Sequence, residues 1–144
     1  MKILKTNIVL MLLVSIFSSC NDNVVSEEFE YLNNSSKLLG KWKLVESESS
    51  GMGGTVSTYD YSSHNFIYDF KSNGIVTISG PTDANVYPSS MIGDNSFSFE
   101  YNGDYIYQLE IGYSSFYSVY FLSGKLNLDN RPLDGSVFRF VKVK

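Results

Sequence analysis

The sequence predicts an all-β domain, an antiparallel up-and-down β-barrel of about eight strands that follows a signal peptide and a short tether. From Lys37 onward, apolar and polar residues alternate with a period of two, and no long window keeps a helical period. Asn-Gly turns and polar loops separate the alternating runs. Because each run has one apolar and one polar face, the strands are expected to wrap around a single interior.

Eight or nine segments carry this strand pattern. In one of them, Phe97, Phe99 and Tyr101 alternate with serine and glutamate. The predicted strands cover residues 41–48, 55–61, 64–71, 75–79, 96–101, 105–111, 115–122, 125–129 and 136–143. Two segments, 48–54 and 80–95, interrupt the meander of neighbouring strands.

Two hairpin turns indicate the register of the strands. In FKSNGIVTI, a three-residue loop places Gly74 in the left-handed conformation and pairs Phe70 with Val76. In FEYNGDYIY, a three-residue loop pairs Tyr101 with Tyr105. These registers set apolar residues opposite apolar ones, whereas a slip of one residue would turn a strand to the wrong face.

The amino terminus is typical of an exported protein. Residues 1–5 are basic, residues 8–17 form an apolar run too short to span a bilayer, and small residues follow up to Cys20. The predicted organisation is a signal peptide at 1–19, a new amino terminus and flexible tether at 20–36, and a β-barrel at 37–144. The tether is polar and acidic, and a helical turn is expected around residues 27–32.

The residues that end at Cys20 resemble the lipobox of bacterial lipoproteins, although Phe17 stands where that motif prefers leucine. The resemblance implies that Cys20 carries the lipid and becomes the new amino terminus. As the only cysteine in an exported chain, Cys20 forms no internal disulfide, and its lone thiol is explained by lipidation. Several acyl chains on one residue suffice for stable anchoring. The expected location is the bacterial cell envelope, as an outer-membrane lipoprotein that is periplasmic or surface-exposed. The alternative to lipidation is an ordinary signal-peptide cleavage site with an incidental free thiol at Cys20.

Charge limits the possible partners of the domain. Without Lys2 and Lys5, the chain from Cys20 has 9 basic residues against 15 acidic ones, a net charge of −6. This balance argues against nucleic acid, which requires clustered lysine and arginine. It also argues against a polybasic attachment to anionic lipid headgroups.

The segment LLGKWKLV resembles the Gly-x-Trp opening of the lipocalins and related calycin barrels, and more closely that of the lipocalin-like lipoprotein domains of Bacteroidota. The resemblance implies that Gly40 and Trp42 begin the first strand after a short helical turn at 35–39. It also implies that Trp42 closes the barrel floor and that a basic side chain of the last strand covers it. These residues have a role in the fold and not in ligand binding.

The last strand, SVFRFVKVK, offers the cation for this role. Arg139 is the predicted residue over Trp42, because its alternation with Val137 and Val141 places it on an apolar face where a cation can contact an aromatic ring. Arg131 is the alternative.

Catalytic chemistry has little support in the sequence. The single histidine, His64, lies at a predicted turn and excludes a multi-histidine metal centre. No nucleophile has a convincing triad, so we predict no catalytic residue, metal or cofactor. Glu46 shares its predicted face with Trp42 and Leu44, which would bury an acid near the floor. Pairing with a neighbouring cation is its simplest explanation, and an enzyme using barrel carboxylates is the least favoured hypothesis.

The tyrosines on the predicted inward faces are the remaining functional signal. Tyrosine suits ligand cavities, because it has an apolar ring and a polar tip. The candidate ligand-binding residues are Tyr68, Tyr101, Tyr105 and Tyr107. The predicted function is a lipid-anchored, non-enzymatic envelope module that holds a small, partly apolar ligand in the barrel. The alternative is a filled barrel that contacts an envelope protein through its loops.

Overall fold

Strands dominate the computed structural model, which describes residues 28–51, 54–82, 91–101, 107–112, 115–131 and 135–144. The strands of these residues are β1 (Phe29–Tyr31), β2 (Gly40–Ser50), β3 (Val56–Asp60), β4 (Ile67–Phe70), β5 (Ile75–Ser79), β6 (Gly93–Tyr101), β7 (Tyr107–Ile111), β8 (Ser115–Leu122), β9 (Lys125–Asp129) and β10 (Ser136–Lys142). A 3-10 helix, Ser35–Lys37, precedes β2.

Eight of these strands form a closed antiparallel barrel, in the order β2, β4, β5, β6, β7, β8, β9 and β10. The ring closes because β10 pairs with both β9 and β2, and β8 pairs with both β7 and β9. Outside the ring, β3 pairs with the second half of β2, and β1 pairs with the end of β8. The predicted all-β barrel of about eight strands is confirmed.

The two predicted hairpin registers have different outcomes. Phe70 pairs with Val76, as predicted. Tyr101 pairs with Tyr107 and not with Tyr105, so the second prediction is wrong by two residues. Because two residues are one full side-chain period, the inward and outward faces of β6 and β7 are unchanged. Tyr105 lies outside the described residues.

A β-bulge divides β2 into two halves. Arg139 of β10 lies opposite Glu46, but the next residue, Phe140, lies opposite Leu44, so that Val45 is the extra residue in β2. A bulge of this kind re-aims the side chains that follow it. It occurs where the other neighbour of β2 changes from β4 to β3. Leu44 and Glu46 therefore face opposite sides of the sheet, and the predicted inward position of Glu46 is wrong.

Aromatic and aliphatic side chains of all eight strands form one core in the described part of the barrel interior. Tyr68 packs edge-on against Phe140, with ring centroids 4.9 Å apart. Other ring pairs across the interior join β4 to β6 and β8 to β10. The residues of this core are Leu32, Leu38, Trp42, Leu44, Tyr61, Phe66, Tyr68, Phe70, Val76, Ile78, Leu109, Ile111, Tyr117, Val119, Leu126, Leu128, Phe138 and Phe140.

Trp42 lies buried at the end of the barrel where β2 begins, which we call the floor end. Its indole Nε1 donates a hydrogen bond to the Leu38 carbonyl at 2.6 Å, which ties the floor to the 3-10 helix. Gly40 has a φ of +104°, and a side chain there would touch the Lys142 amine. The positive φ, which residues with a side chain rarely adopt, explains the glycine of the Gly-x-Trp motif.

The cation over Trp42 is Lys142. Its Nζ lies 4.3 Å from the centre of the ring and donates a hydrogen bond to the Leu39 carbonyl at 2.6 Å. The prediction that Arg139 covers Trp42 is wrong, because Phe138 and Phe140 occupy the inward face of β10 and leave Arg139 on the outer face. Arg131, the alternative, pairs with Asp129.

The amino-terminal segment joins the floor end. Phe29–Tyr31, which the sequence analysis placed in the tether, is a strand and not a helical turn, and it pairs with β8 from Tyr120 to Leu122. Leu32 is fully buried, and its backbone amide donates to the Val119 carbonyl at 3.1 Å. The described part of this segment therefore belongs to the folded unit.

Replacement of Lys142 by methionine tests the floor interaction. Methionine keeps an unbranched stem of similar length but removes the charge, so Lys142→Met should lower the free energy of unfolding by about 1 kcal/mol. The measurement is urea unfolding followed by the fluorescence of Trp42, the only tryptophan of the chain. Lys144→Met, which changes an exposed residue beyond β10, is the control. Equal stability of the two variants would contradict a role for the Lys142 cation.

Candidate binding groove on the outer face

The predicted ligand-binding tyrosines lie in different environments. Tyr68 is buried in the core opposite Trp42, whereas Tyr101 is half exposed at the last position of β6. Tyr107 belongs to β7, but its side chain is outside the described part of the structure, as are Tyr105 and Cys20. The predicted tyrosine cavity is thus represented by one enclosed and one half-exposed residue.

A charged cluster occupies the outer face of β2 and β10. Arg139 donates to Glu48 Oε2 at 2.7 Å through Nη2 and to Glu46 Oε1 through Nη1. One guanidinium thus bridges two carboxylates that are two residues apart on β2. Burial lowers the pKa of Arg139, but its hydrogen bonds and its attraction to the two glutamates outweigh this and raise it. Arg139 is therefore a permanent cation on this face.

A second ion pair continues the cluster toward the other end of the barrel. Arg131 binds the Asp129 carboxylate through both Nε, at 3.0 Å, and Nη2, at 2.6 Å, and also reaches Glu48 at 3.4 Å. Burial raises the pKa of Asp129, but the hydrogen bonds and charge of Arg131 outweigh it and hold that pKa below its usual value. The Tyr120 hydroxyl donates to Asp129 at 3.4 Å. Burial, and then the charge of Asp129, raises the pKa of Tyr120.

Beside these ion pairs lies an open groove of about 380 Å³. It extends over the outer face of β2, β10 and β9 to the turn between β8 and β9. The lining residues are Glu46, Glu48, Leu122, Ser123, Lys125, Asn127 and Arg139. Two acidic and two basic side chains thus surround one groove, and their formal charges cancel.

Asn127 is the most informative residue of this groove. It is only 1% exposed, yet it lies on the outer face between the inward-facing Leu126 and Leu128. Its Nδ2 donates to the Lys125 carbonyl at 3.0 Å, but its Oδ1 accepts no hydrogen bond from the protein. A buried acceptor without a partner costs about 1–3 kcal/mol. Asn127 therefore lines the groove with a side-chain amide whose oxygen has no partner in the protein.

Two features hide this groove in the sequence. The bulge at Val45 leaves no local signal, so strict alternation predicts Glu46 in the interior. A polar signal was nevertheless present in KLNLD, where Asn127 and Asp129 alternate with leucines and so face outward. Only the pairing of β9 with β10 brings Asn127 opposite Arg139.

His64 lies among aromatic rings in the segment between β3 and β4. Its ring centroid is 5.9 Å from that of Tyr61 and 6.4 Å from that of Phe66. Burial raises the pKa of Tyr61, a core residue. Across the described residues, no group of three or more His, Cys, Asp or Glu side chains is arranged to hold a metal ion.

The Asp129–Arg131 pair predicts a dependence of stability on pH. Because folding lowers the pKa of Asp129, the pair stabilises the fold above the unfolded pKa of about 3.9, and this contribution is lost as the pH falls through the folded value. Asp129→Asn should lower the free energy of unfolding by about 2 kcal/mol at pH 7. The difference from the wild type should shrink below pH 4. Urea unfolding at pH 7, 4 and 3 measures this, with the exposed Glu100→Gln as the control, and a difference that does not vary with pH would contradict it.

Comparison of the chain with protein-family models, with curated proteins and with solved structures finds no match. Within the described residues, no helix has both the length and the apolar character needed to cross a membrane.

Proposed function

We propose that the protein is a lipid-anchored binding module of the bacterial cell envelope, that its lipid is carried on Cys20, and that it binds its ligand on the outer face of the barrel without catalysing a reaction. The proposed site rests on the outer groove, whose lining includes the buried Asn127 with a side-chain oxygen that has no partner in the protein. The anchor rests on the lipobox-like residues that end at Cys20.

The packing of the interior supports binding on the outside. Strands that are not neighbours in the ring are joined by ring contacts such as Phe70–Phe97, with centroids 5.2 Å apart, and Trp42–Phe121, at 5.8 Å. At the floor end, Leu38 is fully buried beneath Trp42. A small barrel whose inward side chains meet in this way works as a rigid support.

The chemistry of the groove supports binding rather than catalysis. Glu46 and Glu48 are both held by hydrogen bonds to Arg139, so each carboxylate already has a protein partner. A carboxyl that acts as a general acid or base must be free to reach the proton that it transfers. An arrangement of paired charges around an orphan amide instead provides fixed donors and acceptors for a polar ligand.

A second candidate is the small, partly apolar ligand inside the barrel, near the tyrosines. Two tyrosines, Tyr68 and Tyr117, are each only 4% exposed and place polar tips within an apolar core. Tyrosine is common in the walls of ligand cavities, because it combines an apolar ring with a polar hydroxyl.

Mass spectrometry separates the two candidates. Outer-face binding predicts that the chain, purified without added ligand, has the same protein mass under native and denaturing conditions once bound detergent is removed. An interior ligand predicts a stoichiometric extra mass under native conditions, because a molecule enclosed by the core leaves slowly. A reproducible extra mass that organic solvent extracts would overturn the outer-face proposal.

Metabolic labelling tests the anchor. Cells that express the full chain and receive an alkyne-tagged palmitate analogue should label the wild type and leave Cys20→Ser unlabelled. The wild type should also enter the detergent phase of a Triton X-114 separation, whereas Cys20→Ser should stay in the aqueous phase. Equal labelling of the two chains would refute lipidation at Cys20. Ser19→Ala, a neighbouring small-residue change, controls for general effects on export.

A further inference from the structure

We infer that the outer groove is a subsite for a neutral saccharide, which approaches along the outer face from the aromatic residues of β1. The inference rests on the proposed function and names its ligand class. The groove, its charge balance, its unsatisfied acceptor and its aromatic border each bear on this class.

The charge balance favours a neutral, hydroxyl-rich ligand. Glu46 and Glu48 contribute two negative charges, and Lys125 and Arg139 two positive ones. An anionic or a cationic ligand would meet charges of its own sign within the same groove. A sugar hydroxyl both donates and accepts, as serine and tyrosine hydroxyls do, so it can bond to carboxylate and cation alike. Adjacent hydroxyls of one sugar ring can therefore serve both kinds of partner.

The orphan oxygen of Asn127 specifies a donor. Its Nδ2 is held by the Lys125 carbonyl, which orients the amide, and Oδ1 is left without a partner in the protein. The residue is nearly fully buried, so a donor that reaches it gains the full value of a desolvated hydrogen bond. Arg139 is the register partner of Asn127, so a sugar hydroxyl that lies beside Arg139 would supply this donor.

Aromatic rings border the groove at its Leu122 end. Phe29 is the register partner of Leu122, so both side chains lie on the outer face, and half of the Phe29 side chain is exposed. The Phe29 ring packs against Tyr31, at 4.8 Å, and against Tyr120, at 4.9 Å, which holds it in place. A fixed, exposed ring offers an apolar surface to the C–H face of a sugar, while the polar groove accepts its hydroxyls.

The experiment uses the full chain, extracted and purified in detergent, on an array of neutral and acidic hexasaccharides. The neutral set contains hexamers of glucose, mannose, galactose and xylose, and the acidic set contains hexamers of galacturonate. We expect binding to at least one neutral hexamer and weaker binding to the acidic set. Isothermal titration with the best neutral hexamer then gives its Kd. No binding to any neutral hexamer, or preference for the acidic set, would overturn the inference.

Variants localise the binding to the groove. Asn127→Leu, which keeps the approximate size but removes the acceptor, should weaken the Kd by about tenfold. Phe29→Ser changes an exposed ring and should give a similar loss without affecting folding, so it serves if Asn127→Leu does not fold. Glu110→Gln, in a separate groove between β6 and β7, is the matched control and should bind as the wild type. Unchanged binding by Phe29→Ser would overturn the site.

The source of the saccharide is tested in parallel. Polysaccharide released from the surface of the expressing cells is compared with the free hexamers. Binding to either source supports the inference and shows whether the ligand comes from the envelope or from outside it. Failure here is distinguishable from failure of the proposed function, because an extra native mass or an unlabelled Cys20 would be seen without any saccharide.

Discussion

The β-bulge at Val45 is the constraint on which the rest of the structure depends. Before it, Trp42 and Leu44 face inward and close the floor; after it, Glu46 and Glu48 face outward and meet Arg139. Without the extra residue, the strict alternation of β2 would direct both carboxylates into an apolar core, at a cost of several kcal/mol each. One inserted residue therefore allows a single strand to serve both the interior packing and the outer groove.

The two ends of the chain meet at the floor. The amino-terminal segment supplies the Leu38 carbonyl and the buried Leu32, and the carboxyl-terminal strand supplies Lys142 over the Trp42 ring. The contact of Lys142 with Trp42 joins the two ends of the sequence, so this part of the floor forms only when β10 has paired with β2. The floor is consequently a feature of the complete fold and not of any one hairpin.

Local patterns in the sequence were sufficient to predict the barrel but not the groove. Alternation placed the strands and the register of Phe70 with Val76, because a one-residue slip would expose a whole apolar face. The predicted partner of Tyr101 is wrong by two residues. A shift of two residues leaves every side chain on the same face, so the alternation of apolar and polar residues cannot detect it. The bulge at Val45 lies between Leu44 and Glu46, with no adjacent glycine or proline to mark it. The strand β1 is only three residues long. Both depend on distant strands, β10 and β8, that no local pattern contains.

The strand β1 also determines how the molecule would respond to tension. A pull on the amino-terminal segment reaches the domain through β1, which is held by three register pairs to β8 and by the ion pair of Glu30 with Lys37. The barrel, in contrast, is a closed ring in which each strand has two neighbours. Release of β1 would add about 3.3 Å of slack per residue while the closed ring stayed intact. The short strand is therefore the first strand that a pull on the amino-terminal segment would load, and it lies outside the closed ring.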